Sequence, residues 1–126
     1  KVVLAAGNDS GDLNVTISAY RPVNTDINVY YKILSRNDTQ TFESGNWQLM
    51  TKTNSSDTNY SKSRTDIQEY TYAPGTVGVD QGYVSYVSSN GQTYTNFSQF
   101  AIKVVFYSSN PAIAPQIKNF RAVATA

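Results

Sequence analysis

Apolar and polar residues alternate with period two over several short stretches of this chain. Leu13, Val15, Ile17 and Ala19 alternate with Asn14, Thr16 and Ser18, the signature of a half-buried strand. Arg21-Pro22 ends that run, and Asn24-Thr25-Asp26 supplies turn residues. The next strand spans Ile27 to Leu34. Ile27, Val29, Tyr31 and Ile33 share one face, and Asn28, Tyr30, Lys32 and Leu34 share the other. Phe100, Ile102, Val104 and Phe106 make the cleanest apolar face and are expected to point inward. Ala101, Val105 and Tyr107 make the opposite face partly apolar, which predicts an interior strand. After Asn110-Pro111 and Pro115, a last strand is predicted from Gln116 to about Thr125.

The middle of the chain is less regular. Ser35 to Asp38 reads as loop, and Phe42 to Met50, with Gly45-Asn46 before Trp47-Gln48-Leu49, as a short edge segment. Thr51 to Thr65 is polar and unpatterned, which predicts a protruding loop. Ile67 to Tyr72 resumes a strand, with Gln68, Tyr70 and Tyr72 on one face and Ile67, Glu69 and Thr71 on the other; Pro74-Gly75 ends it. Tyr83 to Ser88 and Tyr94 to Phe97 flank Asn90-Gly91, a strong hairpin signal. No helix longer than a turn is expected. These elements predict an all-β fold: one antiparallel β-sandwich domain over residues 1–126, jelly-roll-like, with six to eight strands.

Composition narrows the function. Asn, Ser, Thr and Gly dominate the polar positions, while ten basic and nine acidic residues leave a net charge of +1. No basic stripe stands out, so nucleic acid is not an expected partner. No apolar run approaches the ~20 residues of a membrane-spanning helix. Lys1 leads directly into Val2-Val3-Leu4, which suggests the C-terminal fragment of a longer chain. With no cysteine, the chain holds no disulfide framework.

Catalytic chemistry has little to work with. The chain has neither His nor Cys, which removes the usual general base and the Ser/His and Cys/His nucleophile pairs. The carboxylates Asp9, Asp12, Asp26, Asp38, Glu43, Asp57, Asp66, Glu69 and Asp80 show no spacing that singles out a glycosidase pair, and most sit at turns. Asn8-Asp9-Ser10-Gly11-Asp12 resembles a calcium loop only superficially, lacking the alternating ligands and distal Glu of an EF-hand. The expectation is therefore no enzyme, no metal site and no cofactor. Sequons at Asn8, Asn14, Asn37, Asn54, Asn59 and Asn96 are read as products of composition. Arg21 and Arg121 sit near strand ends and are expected to form surface ion pairs, with Asp26 one candidate partner. The residues singled out for contact with a ligand or a partner are the aromatics Trp47, Tyr60, Tyr70 and Tyr72, with sheet packing as the competing role.

Several segments read together carry a resemblance. They are Ser18-Ala19-Tyr20-Arg21-Pro22, Thr25-Asp26-Ile27, Val29-Tyr30-Tyr31-Lys32, Trp47 with Leu49-Met50, and Tyr86 before Asn90-Gly91. Phe97, Phe100, Ile102-Lys103-Val104-Val105, Ser108-Ser109-Asn110-Pro111, Pro115 and Phe120-Arg121-Ala122-Val123-Ala124 complete the series. This order resembles a β-rich C-terminal domain of tailed-bacteriophage virion structural proteins associated with baseplates or tail fibres. The resemblance runs from about Leu13 to the end, outside Thr51–Thr65. It implies a structural module of a virion, located in the particle, that binds other virion proteins and forms a homo-oligomer there. The alternative it leaves open is a receptor- or carbohydrate-binding module at an appendage tip, with a host-surface glycan as ligand. The terminal strand from Gln116 is the expected docking edge.

Overall fold

A computed structural model describes residues 1–4, 9–53, 60–75, 84–110 and 112–125. Asn8, Asn54, Asp57, Asn59, Asp80, Tyr83 and Pro111, which figured in the sequence reading, lie outside the described residues. The chain is all-β and antiparallel. The strands are β1 (Val2–Val3), β2 (Asp12–Tyr20), β3 (Thr25–Leu34), β4 (Gln48–Leu49), β5 (Thr51–Lys52), β6 (Gln68–Ala73), β7 (Tyr86–Val87), β8 (Thr93–Tyr94), β9 (Gln99–Ser108) and β10 (Gln116–Thr125). One sheet has the order β1-β9-β3-β4, a second the order β10-β2-β6-β5, and β7 with β8 forms a separate hairpin.

The alternation in the sequence builds the core directly. Leu13, Val15, Ile17 and Ala19 of β2 and Ile27 and Val29 of β3 are completely buried, with Tyr31 and Ile33 nearly so. Each buried Val, Leu or Ile among them contributes roughly 1.5–3 kcal/mol through loss of apolar surface from water. Tyr70 and Tyr72 stand opposite Ile17 and Val15 on β6 and therefore face the same interior. Phe97 packs edge-on against Phe100, with ring centroids 5.8 Å apart.

Turns follow their local chemistry. Asn24 takes φ +69°, a left-handed conformation that Asn tolerates, so that the Thr25 N–H can bond the Pro22 carbonyl at 3.2 Å. Gly91 has φ +83° in the β7–β8 turn, where its N–H bonds the Ser88 carbonyl at 2.9 Å. That left-handed residue is the reason the Asn-Gly pair closes the hairpin.

Three expectations need correction. The Thr51–Thr65 segment is not simply a loop, because Thr51–Lys52 pairs with Ala73 and Tyr72 of β6. The strand from Phe100 is not interior along its length. It pairs with β3 throughout, but with β1 only at Gln99 and Phe100. Its predicted inward face is buried at Phe100, half-buried at Ile102 and Val104, and 48% exposed at Phe106.

Candidate functional site

Among the described residues, the layout of the two sheets leaves one side of the sandwich open. Met50 alone links β4 to β5, so the β4 and β5 edges lie on the same side, which that link closes. The opposite side is formed by β10 from one sheet and by β9 with its short partner β1 from the other. Register identifies what points into the interior there. Phe106, Val104 and Ile102 stand opposite Ile27, Val29 and Tyr31, all core residues. Phe120, Ala122 and Ala124 stand opposite Ile17, Val15 and Leu13, which are likewise buried. Yet Phe120 is 46% exposed, while Ile117, Ala122 and Ala124 are only partly covered. Tyr107 and Val123, on the outer faces of the same two strands, are also exposed. Among the described residues, the core-side apolar rows of β9 and β10 are therefore left partly uncovered. Exposed apolar surface of this kind marks interaction sites in soluble proteins.

The end of the sandwich where β2 turns into β3 is built around Arg21. Its side chain is 1% exposed, a correction to the surface ion pair expected from sequence. Arg21 Nη1 lies 2.9 Å from Asp26 Oδ1, and Nε donates to the Tyr70 hydroxyl at 3.2 Å. The guanidinium sits 4.4 Å from the Tyr60 ring centroid and 4.8 Å from that of Tyr70, flanked by both. Ser61 completes the clamp: its Oγ accepts from the Arg21 N–H, and its own N–H donates to the Arg21 carbonyl. A buried cation is tolerable because it is paired and its donors have acceptors. Lys52 also reaches Asp26 Oδ1. Burial tends to raise the Asp26 carboxyl, but the Lys52 hydrogen bond and charge, the Ile27 N–H and the Arg21 charge outweigh it and hold it below the ordinary value.

At the other end, Asp38 is the organising group. It accepts from the Tyr86 hydroxyl and from Ser88 Oγ, each at 2.8 Å, and from the Gln40 N–H at 3.1 Å. Burial again pushes the carboxyl up, and these donors outweigh it and keep it low. Burial also pushes the Tyr86 hydroxyl well above its usual range, with the Asp38 charge adding to the effect. Next to this cluster lies a cleft of about 470 Å³ lined by Gln40, Asn46, Gln48, Tyr86 and several serines, with no charged residue in its lining among the described residues. The Gln40 carbonyl oxygen accepts from the Ser89 N–H and that of Gln48 from the Tyr31 hydroxyl. Both amides are thereby oriented with their NH₂ groups available as donors.

The four aromatics chosen from sequence do not come together. Tyr70 and Tyr72 are core residues, with exposures of 0% and 2%, and present no ring to a partner. Period-two alternation on β6 turns both inward, and the Tyr72 hydroxyl crosses the sandwich to donate to the Ile27 carbonyl at 2.9 Å. Tyr60 is half-buried in the Arg21 clamp. Trp47 alone remains substantially exposed, at 37%, with Lys32 and Lys103 ammonium groups 5.0 and 4.8 Å from its ring. Sequence reading missed Phe106 and Phe120 as surface residues, since alternation alone assigns both to the core side. The charges Lys118 and Arg121 on β10 were the available sign of edge character.

Asp9 pairs with Arg36 at 2.7 Å, and Asp12 accepts from the Leu13 N–H at 2.8 Å, so both act locally. Among the described residues no cluster of three or more acidic side chains could hold a metal ion, and no helix is long and apolar enough to cross a membrane. Arg121 lies exposed beside Thr16, Ser18, Glu69 and Asn119 on the outer face of the second sheet. Compared with known proteins, the chain matches no family model, no curated protein and no solved structure.

Proposed function

We propose that this domain is a structural assembly module that joins neighbouring subunits through its open β9–β10 side, in a virion of the kind the sequence resemblance implies. The observation that carries this reading is the exposure of Phe106 and Phe120, at 48% and 46%, on the core side of their sheets. Aromatic residues in that setting are the usual anchors of protein interfaces. The sandwich supplies a rigid frame, and burial of its open side on a neighbour removes the exposed apolar surface from water. Identical copies meeting through one such side form closed, symmetric oligomers.

Sedimentation equilibrium of the isolated domain tests the reading. The expected result is reversible self-association that is lost in the Phe106→Lys/Phe120→Lys double variant while the fold is retained. A monomer at every concentration that also leaves purified virion proteins unbound overturns it.

A second reading rests on the uncharged cleft beside Asp38. Oriented amide donors and serine hydroxyls suit the hydroxyl groups of a neutral sugar, consistent with glycan binding at an appendage tip. Glycan-array binding that disappears in Gln40→Ala and Gln48→Ala supports it; silence across host glycans removes it.

A further inference from the structure

We infer that the lane beside β9 is a seat for an extended polypeptide strand that runs antiparallel to β9 and continues the line of β1. This inference rests on the assembly reading and names how the partner enters.

The lane already holds a strand at one end. Val2 and Val3 pair antiparallel with Phe100 and Gln99, and the Leu4 N–H bonds the Ser98 carbonyl at 2.8 Å. From Ala101 to Ser108 the inner edge of β9 is paired with β3, while among the described residues nothing pairs with the outer edge. Alternate N–H and C=O groups along that stretch therefore face outward, ready to form a ladder.

Side chains agree with the backbone. Ile102, Val104 and Phe106 from β9 and Ile117, Phe120 and Ala122 from β10 present partly uncovered apolar surface on the core side of their sheets. An incoming strand buries every second side chain between these rows. The occupant therefore has apolar residues at alternate positions, no internal proline, and a length of about eight residues, set by the open stretch at one residue per rung.

The two edges are not equivalent, and this decides which one takes the strand. β10 carries a bulge where Lys118 interrupts the register with β2, and Lys118 and Arg121 stand exposed along it. Bulges and edge charges are the usual devices against strand pairing. The one charge on β9, Lys103, is drawn onto the Tyr30 and Trp47 rings at 5.1 and 4.8 Å, on the outer face of the sheet and away from its core side. The sequence expectation that placed docking on the terminal strand is thus moved to its neighbour, with β10 as the far wall. The lane's present tenant, a valine pair in extended antiparallel pairing, is the template for what fills the rest.

The probe is a synthetic decapeptide of alternating Val and Thr with a Lys at each end, with a control of the same composition carrying one central Pro. Amide hydrogen exchange of the isotope-labelled whole domain is followed residue by residue. The expected result is at least tenfold slower exchange at alternate amides between Ala101 and Ser108 with the first peptide, no change with the control, and loss of the effect in Phe106→Asp. Binding that protects β10 amides instead overturns the assignment. Protection of β9 by the proline control as strong as that by the first peptide also overturns it, since no continuous ladder is then required. Self-association that is abolished by Phe106→Lys/Phe120→Lys while β9 exchange never changes leaves the assembly reading standing and removes strand addition.

Discussion

β3 and β9 are paired over ten residues each and carry the same alternation, yet they end in different environments. On β3, Ile27, Val29, Tyr31 and Ile33 are all at most 3% exposed. On β9, the residues directly opposite run from buried Phe100 to half-exposed Phe106. Strand neighbours account for part of the difference: β3 has β9 along its whole length and β4 at Tyr30 and Tyr31, whereas among the described residues β9 beyond Phe100 has β3 alone. Alternation says which way a side chain points; the next strand over decides how deeply it is buried. The same contrast separates β2 from β10 in the second sheet.

Substitutions on the two strands and at the two ends of the sandwich test this difference. Truncation at the centre is expected to have the largest effect. Ile17→Ala should cost about 2–5 kcal/mol in urea unfolding, while Ile102→Ala, on the open side, should cost about half as much or less. Equal losses at the two sites would contradict the description of that side as open.

Arg21→Ala comes next, at roughly 3 kcal/mol, because it empties the space between Tyr60 and Tyr70 and leaves the Tyr70 hydroxyl without its guanidinium donor. Asp26→Asn should cost less, near 1 kcal/mol, since the Asp26 side chain is 41% exposed and water screens its pairings. Thermal or urea unfolding of the two variants gives the ranking, and the opposite order would make the carboxylate, not the packed guanidinium, the centre of the cluster.

A smaller effect is expected in the pH dependence. The Asp38 carboxyl is held below its unfolded value, so its contribution is present above about pH 4 and is lost as the pH falls through the folded value. Asp26 acts with the same sign. Melting temperatures measured from pH 7 to pH 2 should fall on the acid side, and Asp38→Asn should start lower at pH 7 but lose less between pH 4 and pH 2. An unchanged acid slope in that variant would show that Asp38 is not the group responsible.

The smallest effect on stability should come from Phe106→Lys and Phe120→Lys, each within about 0.5 kcal/mol for the monomer. Their effect should appear in association instead. A large loss of monomer stability would mean that these rings are core and that the open side is closed in solution.

Much of the fold was legible in the chain. β2, β3, β6 and β10 fall where the alternation predicted them, within two residues at each end, and Asn90-Gly91 closes the hairpin it predicted. These features are local, set by side-chain period and by the backbone freedom of Asn and Gly. The candidate site was less legible. Tyr70 and Tyr72 were grouped with Trp47 by residue type, although their own alternation on β6 turns them inward. Nothing local marks Arg21 as buried, because the clamp is assembled from Asp26, Tyr60, Ser61 and Tyr70, up to 49 residues away.

That the chain is β, where its strands lie and which face of each is apolar follow from the chain's local pattern, because those properties depend on neighbours one to four residues apart. Which strands are edges, that the valine pair of β1 takes the first two rungs beside β9, and that Phe106 and Phe120 meet water from the core side emerge only in the assembled sheets. Sheet order sets these outcomes, and it arises from pairings between residues about a hundred positions apart, such as Val2 with Phe100 and Leu13 with Ala124, which no local pattern encodes.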